Sequence, residues 1–306
     1  YFFIFYTKKL NPLFEIYVNK NKNYETYNKY FTPTKDENIL KFTVAGVLAL
    51  GISACNDSKE NKETKVEVKN TVIKIGATPV PHVEILEAVK PLLKAKGYDL
   101  KIVEFTDYVT PNIAVNEGEL DANFFQHLPY LKEFNKNKNT DLVKTANVHL
   151  EPMGLYSNKI KSLSELADGA TIAVPNDPTN ESRALDILVK QGLLKFKDVD
   201  FKTVIDIVEN PKNLKIKELD APQLPRVLDE VDAAIINTNY ALSANLNPLK
   251  DAIIIESKDS PYANIIVVKK GNENKDSIKA LNEVINSAEI KTFIKEKYQG
   301  SIVEAF

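Results

Sequence analysis

The sequence predicts an α/β protein built as two lobes. Strands with alternating apolar spacing are followed by amphipathic helices, which is the signature of parallel α/β architecture. The series occurs twice, once from residue 72 and again from residue 170, and a short internal echo links the two. In the first series Val72-Ile73-Lys74-Ile75-Gly76 alternates as a strand. His82 to Leu93 carries apolar residues at helical spacing, with Gly97 placed to close the helix, and Leu100 to Phe105 is the next strand. In the second series Ala170 to Pro175 is a strand, Arg183 to Lys190 a helix closed by Gly192, and Val204 to Val208 a strand.

The echo runs further. Lys101 to Phe105 leads through a helix started by Pro111 to Glu119-Leu120-Asp121-Ala122-Asn123-Phe124. Leu214 to Leu219 leads through a Pro222-containing helix to Glu230-Val231-Asp232-Ala233-Ala234-Ile235. Each strand after the Asp-Ala pair ends in polar or aromatic residues, Phe125-Gln126-His127 in one half and Asn237-Thr238-Asn239-Tyr240 in the other. Ligands of open α/β sheets lie off the carboxyl ends of strands, so two such ends facing one another form a cleft.

Ahead of this region an apolar run follows Lys41 and ends at Cys55, the only cysteine. The run is shorter than the roughly 20 residues of a membrane span and reads as a signal-peptide core. Ile52-Ser53-Ala54-Cys55 has the form of a lipobox, in which small residues precede a cysteine that is lipidated and becomes the mature N-terminus. A buried helix with a free thiol is the competing reading; the polar tract from Asn56 to Asn70 weighs against it. Residues 39–54 are thus expected to be a lipoprotein signal peptide and 55–70 a flexible tether. Residues 1–38 show no sustained period, and the only methionine is Met153, so this stretch is expected not to belong to the biological protein.

Forty basic and 42 acidic side chains give a net charge of −2, which supplies no reason to expect nucleic acid. A single cysteine leaves no intramolecular disulfide, so the fold must stand on packing. Enzyme motifs are missing: there is no Gly-x-Ser-x-Gly elbow, no His-Glu-x-x-His and no phosphate-binding glycine loop, so neither catalysis nor a cofactor is expected. His82, His127 and His149 sit in different elements, their spacing gives no support to a shared metal, and none is expected.

Pro175-Asn176-Asp177-Pro178-Thr179-Asn180-Glu181-Ser182-Arg183 is more telling. With Thr179 or Asn180 as cap, Arg183 falls in the first helical turn, where the dipole disfavours a cation and the free N–H groups favour an anion. An anionic ligand resolves that conflict, and a guanidinium can hold a carboxylate through two parallel hydrogen bonds. An exposed Arg183 paired with Glu181 or Asp186 accounts for the segment equally well. The aromatic cluster Phe124 to Tyr130, joined by Tyr108, is the second candidate wall, suited to a thioether; core packing is the alternative and is preferred for Phe124.

Thr78 to His82, Phe105 to Val109, Asp121 to His127, Pro175 to Asn180, Glu209 to Leu214, Ala221 to Arg226 and Ser260-Pro261-Tyr262 together resemble the NlpA-type family of methionine-binding lipoproteins of ABC importers. The match runs from about residue 72 to the end of the sequence. The resemblance implies a type 2 periplasmic-binding-protein fold, with residues 72–153 and 241–306 as one lobe and 154–240 as the other, closing on one amino acid. It implies a membrane permease with a cytoplasmic ATPase as partner, and attachment to the cell envelope through lipid on Cys55, on the periplasmic side or at the surface. By the same resemblance Arg183 is the carboxylate clamp, Asn180 and Asn237 hydrogen-bond the ligand, and Asn237 reads the amino group. Tyr108, Phe125, His127 and Tyr130 then surround the thioether, while Asn210 and Tyr240 stay outside the set. Ser182 stands where many members have glycine. L-Methionine is the expected ligand, with D-methionine, a derivative or a methionine-containing peptide as variants. A surface lipoprotein with a macromolecular partner is the rival class, and an exported enzyme a weaker one.

Overall fold

The computed structural model describes residues 71–257 and 260–306. The upstream stretch 1–38, the leader at 39–54, the lipidation site Cys55 and the tether at 55–70 lie outside the described residues.

The first series folds as β1 (Thr71–Ala77), α1 (Glu84–Ala95), β2 (Tyr98–Glu104), α2 (Thr110–Glu117), β3 (Ala122–His127), α3 (Leu128–Lys138) and β4 (Leu142–Leu150). β1 lies parallel to both β2 and β3. Alternation places Ile73 and Ile75 on one face, against Ile85, Leu86, Val89 and Leu93 of α1. Each such side chain contributes about 1.5–3 kcal/mol on burial. Gly97 sits at φ +85°, a conformation that lets the chain reverse directly into β2 and that side-chain-bearing residues rarely adopt.

The second series comprises β5 (Gly154–Tyr156), β6 (Thr171–Pro175), α4 (Pro178–Lys190), β7 (Lys195–Phe196), β8 (Ile207–Glu209), β9 (Lys215–Leu219), β10 (Ala233–Ile236), α5 (Thr238–Ser243), α6 (Pro248–Asp251) and β11 (Ile254–Ile255). Ile172, Val174 and Ile235 face one apolar cluster with α4, whereas Ala173, Ala234 and Ile236 face another around Leu224 and Leu228. The chain then returns to the first sheet through β12 (Ala263–Lys269), α7 (Asp276–Ile285), α8 (Ala288–Tyr298) and β13 (Val303–Glu304).

The two sheets share one plan. Their strand orders are β13-β4-β12-β3-β1-β2 and β11-β5-β10-β6-β9, so in each the first parallel strand stands between the second and third. An antiparallel strand then covers the third, β12 on β3 and β5 on β10. The sequence echo is the trace of this repeated topology.

Two expectations are corrected. Val204 to Val208 is not a strand of the main sheet: Val204–Asp206 is a helical turn, and β8 pairs only with β7 in a separate ribbon. Ile205 is 81% exposed and Val208 54% exposed, with Ile207 only partly buried against the α4 cluster, so the run lacks the alternating buried face of a sheet strand, and β9 takes the place beside β6. The return to the first lobe also comes later than residue 241, because β11 pairs with β5 and Tyr240 and Ala241 pack with Ile236 and Leu224 of the second lobe. The sheets are therefore joined at residues 151–153 and again after β11, and these joins are tied together by Glu256 N–H donating to Met153 O at 2.8 Å.

Every residue of β3 is buried, including Asn123, Gln126 and His127. Such polar groups demand partners. Asn112 of α2 supplies them: its Nδ2 donates to Gln126 Oε1 at 3.0 Å, and its Oδ1 accepts from Asn123 Nδ2 at 2.8 Å and Gln126 Nε2 at 2.6 Å. This amide cluster seats α2 on the strand that ends at the site. Asn112→Ala strands several buried donors and acceptors, and thermal unfolding is expected to show a loss of about 2–3 kcal/mol. A loss below about 0.5 kcal/mol, the range of a neutral surface substitution, would contradict the role given to the cluster.

Candidate functional site

A cavity lies between the two sheets. Tyr108, Phe125, His127, Tyr130, Asn180, Arg183 and Asn237 all line it, and so do Gln126, Glu151, Thr238, Asn239 and Asn264. Phe125 and His127 come from the end of β3, Asn237 follows β10, and Asn180 and Arg183 lie on the helix that follows β6. The site thus gathers the carboxyl ends of parallel strands from both lobes.

Its aromatic side is a set of interlocking rings. Tyr108 stacks on Phe125 with centroids 5.7 Å apart, and Tyr130 meets both edge-on, at 5.9 Å from Tyr108 and 6.0 Å from Phe125. The hydroxyls meet fixed acceptors: Tyr108 donates to Asn239 Oδ1 at 2.6 Å and Tyr130 to the Tyr108 carbonyl at 3.0 Å. Burial raises both phenols well above their ordinary range, so they stay protonated. Tyr240 tilts against Tyr108 from behind, and its hydroxyl donates to Thr106 O, while Asn210 bonds both backbone groups of Leu214 away from the cavity.

His127 links the lobes. Its Nδ1 accepts from Tyr130 N–H at 3.2 Å, which caps α3 and leaves the proton on Nε2, directed at Asn180 Oδ1 at 3.2 Å. Burial first and the Arg183 charge second lower its pKa to about 3, so it is a neutral donor. Asn180 is fully engaged: Oδ1 also accepts from Asn237 Nδ2 at 2.9 Å, and Nδ2 donates to both oxygens of Asp177. Asn180 therefore fixes His127 and Asn237 and presents no free group of its own. Asn237 differs, because its Oδ1 is buried with no partner.

Arg183 departs from the sequence reading in two respects. The cap of α4 is Asp177, whose side chain accepts from Asn180 N–H, with Pro178 in the first helical position; this puts Arg183 in the second turn. Nor is it exposed or paired with Glu181 or Asp186. It is buried, with Nε 3.0 Å and 3.2 Å from the Glu256 oxygens, Nη2 also on Glu256, and Nη2 donating to Glu151 O at 2.7 Å. The guanidinium fork is thus taken by Glu256, and Nη1 is the nitrogen without a hydrogen bond among the described residues. The Tyr262 ring covers the guanidinium at 4.3 Å and reaches His127 at 4.9 Å.

Glu151, Glu256 and Asn264 carry no motif of their own in the sequence reading of the site, and Tyr262, part of the Ser260-Pro261-Tyr262 motif, has no site role assigned there. Glu151 and Glu256 each follow directly on an apolar stretch that ends in a strand, which places them at strand ends as surely as His127 or Asn237. His82 and His149, whose spacing in the sequence gives no support to a shared metal, stand with ring centroids 5.1 Å from one another beside Glu151; His127 is not among them.

The sequence profile of the NlpA lipoprotein family matches residues 73–306. The methionine-binding lipoprotein MetQ of Bacillus subtilis (strain 168) is 45% identical over 273 residues, which cover 86% of this chain and 96% of that one. Outer membrane lipoprotein 3 of Mannheimia haemolytica is 42% identical over 263 residues, 85% of this chain and 96% of that one. Among solved structures, a nutrient-binding protein from Burkholderia cenocepacia bound to methionine superposes with a TM-score of 0.75 at 49% identity, covering 76% of this chain and 100% of that one. The two-lobed fold, the carboxyl-end cleft and the profile agree, and the chain belongs to the NlpA lipoprotein family.

Proposed function

We propose that the chain is a lipid-anchored substrate-binding protein that captures methionine, L-methionine foremost, and delivers it to an ABC permease driven by its ATPase. The observation that carries this reading is an unmet acceptor and an unmet donor on two residues that both line one cavity. Asn237 Oδ1 is buried without a partner, and Arg183 Nη1 makes no hydrogen bond among the described residues. A ligand ammonium satisfies the first and a ligand carboxylate the second. Glu151 on the same wall supplies a countercharge for the ammonium, and Tyr108, Phe125, His127 and Tyr130 offer ring edges to a thioether. The methionine-bound relative supports the choice of amino acid.

Closure follows from the same contacts. Tyr108 to Asn239, His127 to Asn180 and Tyr240 to Thr106 O already run from one lobe to the other. A ligand that touches both lobes favours the closed state by its differential contacts there. A ceiling of about 1.5 kcal/mol per heavy atom allows methionine roughly 13 kcal/mol, enough for nanomolar binding. Lipid on Cys55 would hold the receptor at the envelope, on the periplasmic side or at the surface; no helix among the described residues is long and apolar enough to cross a membrane.

Native mass spectrometry of gently purified protein, followed by denaturation, tests the reading: methionine is expected to be released at one equivalent. An empty protein that also ignores added methionine and methionyl peptides would favour the interaction-lipoprotein class. Asn237→Ala is expected to weaken methionine binding by about 1.5–3 kcal/mol in calorimetry, the worth of a hydrogen bond to a charged group. Arg183→Ala is expected to weaken it further and to destabilise the fold, since Glu256 is left buried and unpaired. Unchanged affinity in both variants would remove these two residues from the site.

A further inference from the structure

Glu151 is buried on the cavity wall, directly after β4. Two imidazoles face the same oxygen, Oε1: His149 Nε2 at 2.7 Å and His82 Nε2 at 3.2 Å. Their other contacts decide where the protons sit. His82 Nδ1 is 2.7 Å from the Thr78 hydroxyl, which can donate, while His82 Nε2 faces two acceptors, Glu151 Oε1 and Asn264 Oδ1 at 3.1 Å. His82 is therefore satisfied with its proton on Nε2. His149 Nδ1 is buried with no partner, and a buried N–H left orphaned is rarer than an orphaned acceptor, so its proton too belongs on Nε2, against Glu151. Burial lowers His82 to about 4 and His149 to about 3, which keeps both rings neutral at pH 7.

We infer that His82 and His149 are positioning residues, neutral N–H donors that hold Glu151 ionised on the cavity wall for a ligand's ammonium, and that a proton added to this cluster in acid weakens capture. The inference rests on the amino-acid reading above. The same three side chains place their ligand atoms within 4.8 Å of one another, close enough for a metal to be considered. A metal-bound imidazole, however, passes its other N–H to a partner, and His149 Nδ1 has none.

Arg183, Tyr108, His127 and Asp177 each bond partners other than the Glu151 carboxylate. Arg183 is bonded to the Glu151 carbonyl and to Glu256, and the Tyr108 phenol, bonded to Asn239, is pushed further up by burial. His127 is turned to Asn180 and lowered to about 3. Asp177, raised by burial, sits behind Asn180 and not against Glu151.

The sign follows from linkage. Burial raises the Glu151 pKa in the unliganded protein, whereas an adjacent ammonium lowers it, so binding below the unliganded value expels a proton. Affinity then falls by about tenfold per pH unit as pH drops through that value. Loss of the His149 donor raises the unliganded pKa further and moves the loss of affinity up by about one pH unit.

Calorimetric titration with L-methionine between about pH 4.5 and 8 on wild type, His149→Phe and His149→Gln reads this directly. The phenylalanine variant is expected to lose affinity at higher pH, and the glutamine variant, whose amide can donate, to return toward wild type. Carbon-13 and nitrogen-15 NMR of the unliganded wild type gives a second reading independent of ligand and variants: an ionised Glu151 carboxylate and Nε2-protonated rings at pH 7. Identical acid limits in all three proteins, a neutral Glu151 carboxyl at pH 7, or zinc at one equivalent in the purified protein would overturn the inference. Should methionine fail to bind wild type at neutral pH, the amino-acid reading falls, while the NMR still decides whether the histidines hold Glu151 as an anion.

Discussion

The buried ion pair of Arg183 with Glu256 is the interaction on which the rest of the site depends. It joins α4 of the second lobe to one of the two segments that link the sheets, and the bond from Nη2 to the Glu151 carbonyl joins it to the other. Met153 N–H accepts no freedom either, since it donates to Glu256 Oε2 at 3.2 Å. Two charges taken out of water are costly unless every remaining group is satisfied, and removing one partner is worse than never having had the pair. Here the pair fixes the plane of the guanidinium, and through it the direction of Nη1, the nitrogen without a hydrogen bond among the described residues.

From that anchor the polar groups order themselves outward. Asp177 caps α4 and grips Asn180; Asn180 orients His127 and Asn237; Asn237 is left with one unmet acceptor. Beside them, Glu151 takes the imidazoles of His82 and His149. Such connected networks are rigid because each member has few alternatives at comparable energy. The aromatic rings need no such accounting beyond their hydroxyls, so the cavity is lined by both a connected polar network and a set of packed rings.

Much of this architecture was legible in the amino-acid order, because it rests on local pattern. Alternation marked β1, β2 and β6, the spacing of Ile85, Leu86, Val89 and Leu93 marked α1, and the Asp-Ala echo marked a topology used twice. The seven residues expected at the site do line one cavity, since they follow strands whose carboxyl ends meet. What escaped depends on distance along the chain or on competition between neighbours. Glu256 is 73 positions from Arg183, and no local signal couples them. Asp177, Thr179 and Asn180 all compete as caps; the proline at position 178 decides for Asp177, because the first helical position tolerates a missing N–H. The run from Val204 to Val208 is apolar enough for a strand but lies near the surface, where only its end pairs, with β7 in a separate ribbon and not with the main sheet.

The central claim is that the two orphan groups are filled by the two ends of one amino acid. A crystal structure of the protein grown with methionine tests it most directly. The account predicts the carboxylate on Arg183 Nη1, the ammonium against Asn237 Oδ1 and beside Glu151, and the thioether among Tyr108, Phe125 and Tyr130. Methionine bound elsewhere, or bound in the cavity with both Arg183 Nη1 and Asn237 Oδ1 still without a partner, would contradict it.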